Sequence, residues 1–135
     1  MNEPPRRRYV RRPGTPIVAV RLALDTDGLV YRKWGGEQRA RAGDWLVDND
    51  GDVYTIEAAA FARTYRAAGP GLYVKTAPVW AERAETAGSV QTKEGTTDYR
   101  RGDYIVSNAD DASDRYAIAA EKFESLYELD DDDQP

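Results

Sequence analysis

Gly43-Asp44-Trp45-Leu46-Val47 returns almost letter for letter as Gly102-Asp103-Tyr104-Ile105-Val106. A glycine and an aspartate ahead of an alternating apolar run read as a turn entering a strand. Glycine supplies the backbone angle, the carboxylate takes nearby amides, and the two-residue period sends Trp45 and Val47 to one face. Outward from this pair the rest of the chain also aligns. Tyr9-Val10-Arg11 answers to Tyr73-Val74-Lys75, and the stretch from Thr15 to Arg21 answers to Ala77 to Arg83. Gly36 and Gly95 each stand seven positions before the central glycine, with Arg41 and Arg100 between. Beyond it, Tyr54, Ile56, Phe61 and Tyr65 answer to Tyr116, Ile118, Phe123 and Tyr127. Length differences fall in turn-like places, where insertions are tolerated. The chain reads as a tandem repeat.

The repeats divide the chain into a disordered basic arm over 1–8, repeat one over 9–68, a linker over 69–72, repeat two over 73–128 and an acidic tail over 129–135. Strands are expected wherever β-branched runs lie between turn signals, as at Ile17 to Leu22 before Asp25-Thr26-Asp27-Gly28. Asn49-Asp50-Gly51 is a two-residue hairpin signal, and Trp34-Gly35-Gly36-Glu37 is a second turn. After Ile56 the period changes to a helix through Ala58-Ala59-Ala60, with Phe61 and Tyr65 on one face. The fold class is mainly β with short helices. Two tandem units, small β-barrels or rolled sheets of SH3-like size, pack about a pseudo-twofold.

With 135 residues there is room for one domain or two very small ones. The chain has neither cysteine nor histidine. That excludes disulfides, the usual structural zinc sites, a thiol nucleophile and a Ser-His triad from this chain. No cofactor is indicated. The net charge is −5, but the charge is uneven. Arg6, Arg7, Arg8, Arg11 and Arg12 make the start basic, while Glu121, Glu124, Glu128 and Asp130 to Asp133 make the end acidic. Pro13-Gly14-Thr15-Pro16 interrupts any apolar run after the arginines, so neither signal peptide nor membrane span is read, and a cytoplasmic location is expected.

Three constellations carry possible chemistry. Asp44 and Asp103 would form a carboxylate pair in a carboxylate-based or metal-assisted hydrolase if both lined one cleft; the plainer reading is that they fix turns. Asp48-Asn49-Asp50-Gly51-Asp52 has the acidity of a calcium loop, but Val53 and Ala59 stand where that loop needs glycine and glutamate. Arg39, Arg41, Arg100 and Arg101 lie among aromatics, a pattern able to clamp a phosphate and stack a base. Trp34, Tyr31, Trp80 and Tyr99 break the repeat symmetry and are candidate contact residues, whereas the repeat-matched aromatics are read as packing.

The chain also resembles a group of short phage and prophage proteins of unknown function with a Gly-Asp-Trp or Gly-Asp-Tyr strand. The likeness rests on Tyr9, Arg11, Arg12, Pro13, Ile17, Val18, Val20, Gly43, Asp44, Trp45, Val47, Gly51, Tyr54, Phe61, Thr64 and Tyr65. Repeat two carries it through Pro78, Val79, Gly102, Asp103, Tyr104, Val106, Tyr116, Phe123 and Tyr127. Asp52 and Thr55 depart from the group's pattern. The resemblance implies a mobile-element accessory role and transfers no catalytic residue. The expectation is a non-enzymatic binding module contacting a partner protein or a phosphate-bearing ligand. A nucleic-acid binder using the arginines is the first alternative, the hydrolase the second.

Overall fold

The computed structural model describes residues 6–110 and 114–130. Among the described residues fourteen strands and two helices follow one another as β1 (Arg7–Arg11), β2 (Ile17–Arg21), β3 (Leu29–Lys33), β4 (Gly36–Ala40), β5 (Trp45–Asn49), β6 (Asp52–Ile56), α1 (Ala58–Thr64), β7 (Tyr65–Gly69), β8 (Leu72–Lys75), β9 (Val79–Arg83), β10 (Gly88–Gln91), β11 (Thr96–Tyr99), β12 (Tyr104–Ser107), β13 (Arg115–Ile118), α2 (Ala120–Leu126) and β14 (Tyr127–Leu129). The mainly β expectation holds, with every sheet antiparallel. Two sheets have five strands, in the orders β6-β5-β2-β8-β7 and β13-β12-β9-β1-β14. Two further hairpins, β3-β4 and β10-β11, stand apart from them. None of the four sheets closes on itself, so the expected barrel is not formed as a closed sheet.

The strand orders place the sequence-matched positions in matching places, with one exchange. β8 pairs with β2 and β7 in the first sheet, while β1 pairs with β9 and β14 in the second. The first sheet is thus drawn from Ile17–Lys75, with the β3-β4 hairpin set apart. The second takes Val79–Leu129 and borrows Arg7–Arg11 from the far end of the chain. Residues 69–72, expected as a linker, are the tight turn joining β7 to β8. The basic arm expected over 1–8 is part of the fold from Arg7 onward, because β1 needs those residues to reach Trp80 and Ala81. At the other end Leu129 lies in β14, and Asp130 is buried and paired with Arg8 at 2.8 Å. The rest of the expected acidic tail, 131–135, lies outside the described residues.

Each five-stranded sheet folds over its own aromatic stack. In the first, Trp45 stacks on Phe61 at 4.1 Å, Phe61 on Tyr65 at 4.8 Å, and Tyr73 meets Trp45 edge-on at 5.1 Å. In the second, Tyr104 stacks on Phe123 at 4.1 Å, Phe123 on Tyr127 at 4.9 Å, and Tyr9 meets Tyr104 edge-on at 6.3 Å. Each such pair contributes about 0.5–1.5 kcal/mol beyond the area it buries. The helices have seven residues each, too few to stand alone, and are held by Phe61 and Phe123 in these stacks. The Glu57 side chain caps α1 by accepting from Ala60 N–H; α2 has no side-chain cap.

The two hairpins cross backbone against backbone. A Cβ on Gly36 would run into the carbonyl of Thr96, and one on Gly95 into the carbonyl of Glu37. Arg39 N–H donates to Glu94 O at 2.6 Å and Gln38 Nε2 to Thr96 O at 2.7 Å. Matched acids tie each half to the helix of the other. Asp52 binds Lys122 of α2 at 2.7 Å, and Asp114 binds Arg63 of α1 at 3.4 Å.

Candidate functional site

The two apolar stacks do not merge. Between them lies a cavity of about 450 Å³ whose wall is built by strands from both sheets. Strand parity explains why polar groups face it. Tyr9 and Arg11 share the inner face of β1, as Tyr73 and Lys75 share that of β8. Asn49 follows Trp45 and Val47 inward, and Asn108 follows Tyr104 and Val106.

Arg11 and Lys75 cross over in their contacts. Arg11, in the second sheet, reaches Asn49 Oδ1 of the first at 3.4 Å, while its Nε donates to Thr15 Oγ1 at 2.9 Å. Lys75, in the first sheet, donates to Asn108 Oδ1 at 3.0 Å and to the Tyr116 hydroxyl at 2.9 Å in the second. Asn49 Nδ2 in turn donates to the Tyr54 hydroxyl at 3.2 Å. Among the described residues neither cation has a carboxylate within ion-pair distance.

Four tyrosines surround these cations. Lys75 Nζ lies 5.7, 5.4 and 5.8 Å from the ring centres of Tyr65, Tyr116 and Tyr127, and Arg11 lies 5.6 Å from that of Tyr127. Ring contacts of this kind favour the ammonium by about 1 kcal/mol, against several for taking a charge out of water. Burial wins: it lowers the pKa of Lys75, and the charge of Arg11 lowers it further, with Tyr65 and Asp114 opposing. Burial likewise raises the hydroxyls of Tyr54, Tyr65, Tyr116 and Tyr127. They remain protonated donors at any ordinary pH. The lining groups include two permanent cations, Arg11 and the exposed Arg115, two lysines, Lys75 and the Asp52-paired Lys122, four phenolic O–H groups and two amides.

Acids line the wall as well, and Asp114 lies one amide from Lys75, accepting from Asn108 Nδ2 at 3.0 Å. Asp52 is held by Lys122 and by Lys33, the latter at 2.9 Å. Burial raises its pKa, but hydrogen bonds and charge from the two lysines outweigh that and leave it lowered. Glu94 accepts from Glu57 N–H at 2.8 Å, and burial pushes its carboxyl up to about 7. Among the lining residues, Trp34, Asp98, Arg115 and Ala119 are exposed and mark where the cavity meets solvent.

Of the eight residues expected to make contacts, Trp34 alone lines this cavity. It sits at positive φ in the β3-β4 turn, 5.7 Å from Tyr54. Arg39, Arg41, Arg100 and Arg101 are exposed. The Tyr31 hydroxyl is used on Thr55, as its partner at 2.7 Å and as acceptor for its amide at 3.0 Å. Trp80 lies half-buried on the outer face of β9, and Tyr99 packs beside Gly88. The aspartates of the repeated motif are used by the backbone. Asp44 accepts from Arg41 N–H at 2.8 Å and Ala58 N–H at 3.0 Å, and Asp103 accepts from Arg100 N–H at 2.9 Å. Asp103 borders the cavity and Asp44 does not. No cluster of three or more metal-ligating side chains occurs among the described residues, and none of their helices is long and apolar enough to cross a membrane. The basic start is engaged as well: Arg12 bonds Glu128 at 3.3 Å and the Glu124 carbonyl at 3.0 Å, and Arg6 bonds the Asp110 carbonyl at 3.1 Å.

No protein-family model matches the chain. No curated protein and no solved structure gives a significant match.

Proposed function

We propose that the protein is a non-enzymatic binding module that takes a small phosphate- or carboxylate-bearing ligand into the cavity between its two sheets. The observation that carries this is the placing of Arg11 and Lys75, both without an ion-paired carboxylate among the described residues, against one cavity lined by four tyrosine hydroxyls. Neither cation has a carboxylate at ion-pair distance among the described residues, so an anion seated beside them would favour the folded, charged state. A volume of about 450 Å³ lies within the range of small-molecule pockets. We read the two halves as descendants of one SH3-sized unit, so that Arg11 and Lys75 are one ancestral position seen twice. The likeness to phage accessory proteins is compatible with a ligand-sensing role in such a setting.

Thermal unfolding in rising inorganic phosphate tests the proposal. A ligand that binds only the folded form raises the midpoint, by about 2.7 kcal/mol of stability at a hundredfold excess over the dissociation constant. The same rise is expected to vanish in Arg11→Met. A midpoint that ignores phosphate, nucleotides and small carboxylates at constant ionic strength would refute it.

A further inference from the structure

The chain has four lysines, and three are spent on carboxylates. Lys33 and Lys122 share Asp52, and Lys93 lies 3.4 Å from Glu57. Lys75 instead has the Asn108 amide oxygen, the Tyr116 hydroxyl and three aromatic rings around it. No ion-paired carboxylate holds this ammonium in its charged form, and burial outweighs the ring contacts and the more distant charge of Asp114. The matched position, Arg11, carries a guanidinium that keeps its charge at any pH. One place thus holds a fixed cation and its counterpart an amine able to give up its proton, both over the ring of Tyr127.

We infer that Lys75 is an imine-forming lysine, capturing a small aldehyde or ketone whose carboxylate or phosphate is held by Arg11. This rests on the anion site proposed above and names the chemical class of its ligand. In the capture, the Nζ lone pair attacks the carbonyl carbon, a C–N bond forms, and the carbonyl oxygen takes a proton. That oxygen then leaves as water while Nζ sheds its protons and the C=N bond closes. No oxidant or reductant is needed. The Tyr116 hydroxyl, 2.9 Å from Nζ, stands where it can hand a proton to the carbonyl oxygen and take one back. Burial favours the attack, because it lowers the amine's pKa and leaves the Nζ lone pair free.

The test uses the full chain with glyoxylate, an aldehyde bearing a carboxylate, and cyanoborohydride to reduce any imine to a stable carboxymethyl amine at pH 7. Peptide mass spectrometry then resolves the rate at each lysine, apart from the terminal amine. Lys75 is expected to react severalfold faster than Lys33, Lys93 or Lys122, since its lowered pKa leaves more free amine while the other three are ion-paired. Excess inorganic phosphate is expected to slow Lys75 alone. In Arg11→Met the preference of Lys75 for glyoxylate over the uncharged propanal is expected to disappear. Even labelling of all four lysines, or Lys75 reacting slowest, overturns the inference, and this needs no variant to fold. If phosphate raises the melting midpoint but Lys75 stays unlabelled, the anion site stands and imine capture falls. If Lys75 is labelled fast but phosphate neither protects nor stabilises, the anion site falls.

Discussion

Arg11 and Lys75 occupy the same place in two different sheets, and each reaches across to an asparagine of the other sheet, Arg11 to Asn49 and Lys75 to Asn108. Each of the two is the last residue of a strand flanked by neighbours on both sides, and the two strand ends meet at the cavity between the sheets. The cavity's charge is therefore a product of topology.

Lys75→Met removes a buried amine whose charged form is disfavoured. Replacing a buried charge by an apolar side chain of similar volume is often neutral or stabilising. Against this, Asn108 Oδ1 and the Tyr116 hydroxyl lose a partner, at about 1 kcal/mol. The expected outcome at pH 7 is unchanged or higher stability by urea titration, by up to about 2 kcal/mol. The sign with pH follows from the lowered pKa. Wild-type stability rises relative to Lys75→Met as pH climbs through the folded pKa toward 10.5, because the unfolded chain then holds the proton more tightly. A large loss on Lys75→Met at neutral pH would contradict this.

Glu94 gives the opposite slope. Its folded pKa of about 7 lies above the ordinary 4.5, so folding takes up a proton between these values. Its stabilising effect is complete below pH 4.5 and is lost as pH rises through about 7. The groups bearing on it are the Glu57 amide and the charges of Asp114 and Asp44. Glu94→Gln keeps an oxygen for the Glu57 amide and removes the titration. The variant is expected to gain on the order of 2 kcal/mol over wild type above pH 7, and nothing below pH 4.5. Parallel pH–stability curves for the two proteins would show that Glu94 is not the group concerned.

How much of this was legible beforehand differs between fold and site. The repeat of Gly43-Asp44 in Gly102-Asp103 foretold matching turns, since both glycines have φ near +90° and both aspartates take the amide three residues back. The exchange was not legible. Tyr9 and Tyr73 offer the same inward face to either stack, and only the path from Arg12 to Pro16 decides which sheet β1 joins. The short strands β7 and β14 were hidden because Tyr65 and Tyr127 continue the helical spacing while opening a strand. For the site, the recurrence of Tyr54, Tyr65, Tyr116 and Tyr127 points to packing. Their ring faces do pack, but a phenol also carries an O–H that must find a partner. Strand parity held the missed signal, for Arg39 and Arg41 alternate with the inward Gln38 and Ala40 and so had to face out. By the same count Arg11 and Lys75 follow Tyr9 and Tyr73 inward.

Asp44 and Asp103 separate a structural from a catalytic role. Asp44 is buried and accepts two amides, one of them Ala58 at the start of α1; Asp103 accepts one. Leaving buried amides unpartnered costs about 1–3 kcal/mol each. Asp44→Ala is expected to lose about 3 kcal/mol and Asp103→Ala about 1 kcal/mol in chemical denaturation. Equal losses would mean that the second amide on Asp44 contributes nothing.

Asp52 is expected to matter through the contact between halves. It joins Lys33 of β3 to Lys122 of α2, and its depressed pKa means that its stabilising effect exists above about pH 3.8 and fades as the carboxyl is protonated below that. The group is partly exposed, so solvent screening keeps the effect of Asp52→Asn to about 1 kcal/mol at pH 7, shrinking with added salt. A loss that does not respond to salt would point to packing in place of charge.

The glycines at the hairpin crossing offer a sharper contrast. Gly36 and Gly95 have ordinary backbone angles, so any penalty on them comes from space alone. A methyl on Gly95 meets the Glu37 carbonyl, which belongs to the β3-β4 hairpin and cannot yield without breaking the Arg39 to Glu94 bond beside it. Gly51 is the reverse case, with φ of 93° and open space around its Cβ position. Gly51→Ala is expected to cost about 1 kcal/mol of backbone strain and leave the cavity untouched. Gly95→Ala is expected to cost 2 kcal/mol or more, on the order of a severe overpacking, and to part the hairpins. Because Glu94 would move with its hairpin, the rise of its carboxyl toward 7 should be lost in the same variant. An NMR titration of the Glu94 side chain would register that shift even if the stability change alone were ambiguous. A Gly95→Ala protein that keeps both wild-type stability and the raised Glu94 titration would show that the hairpins do not need their crossing.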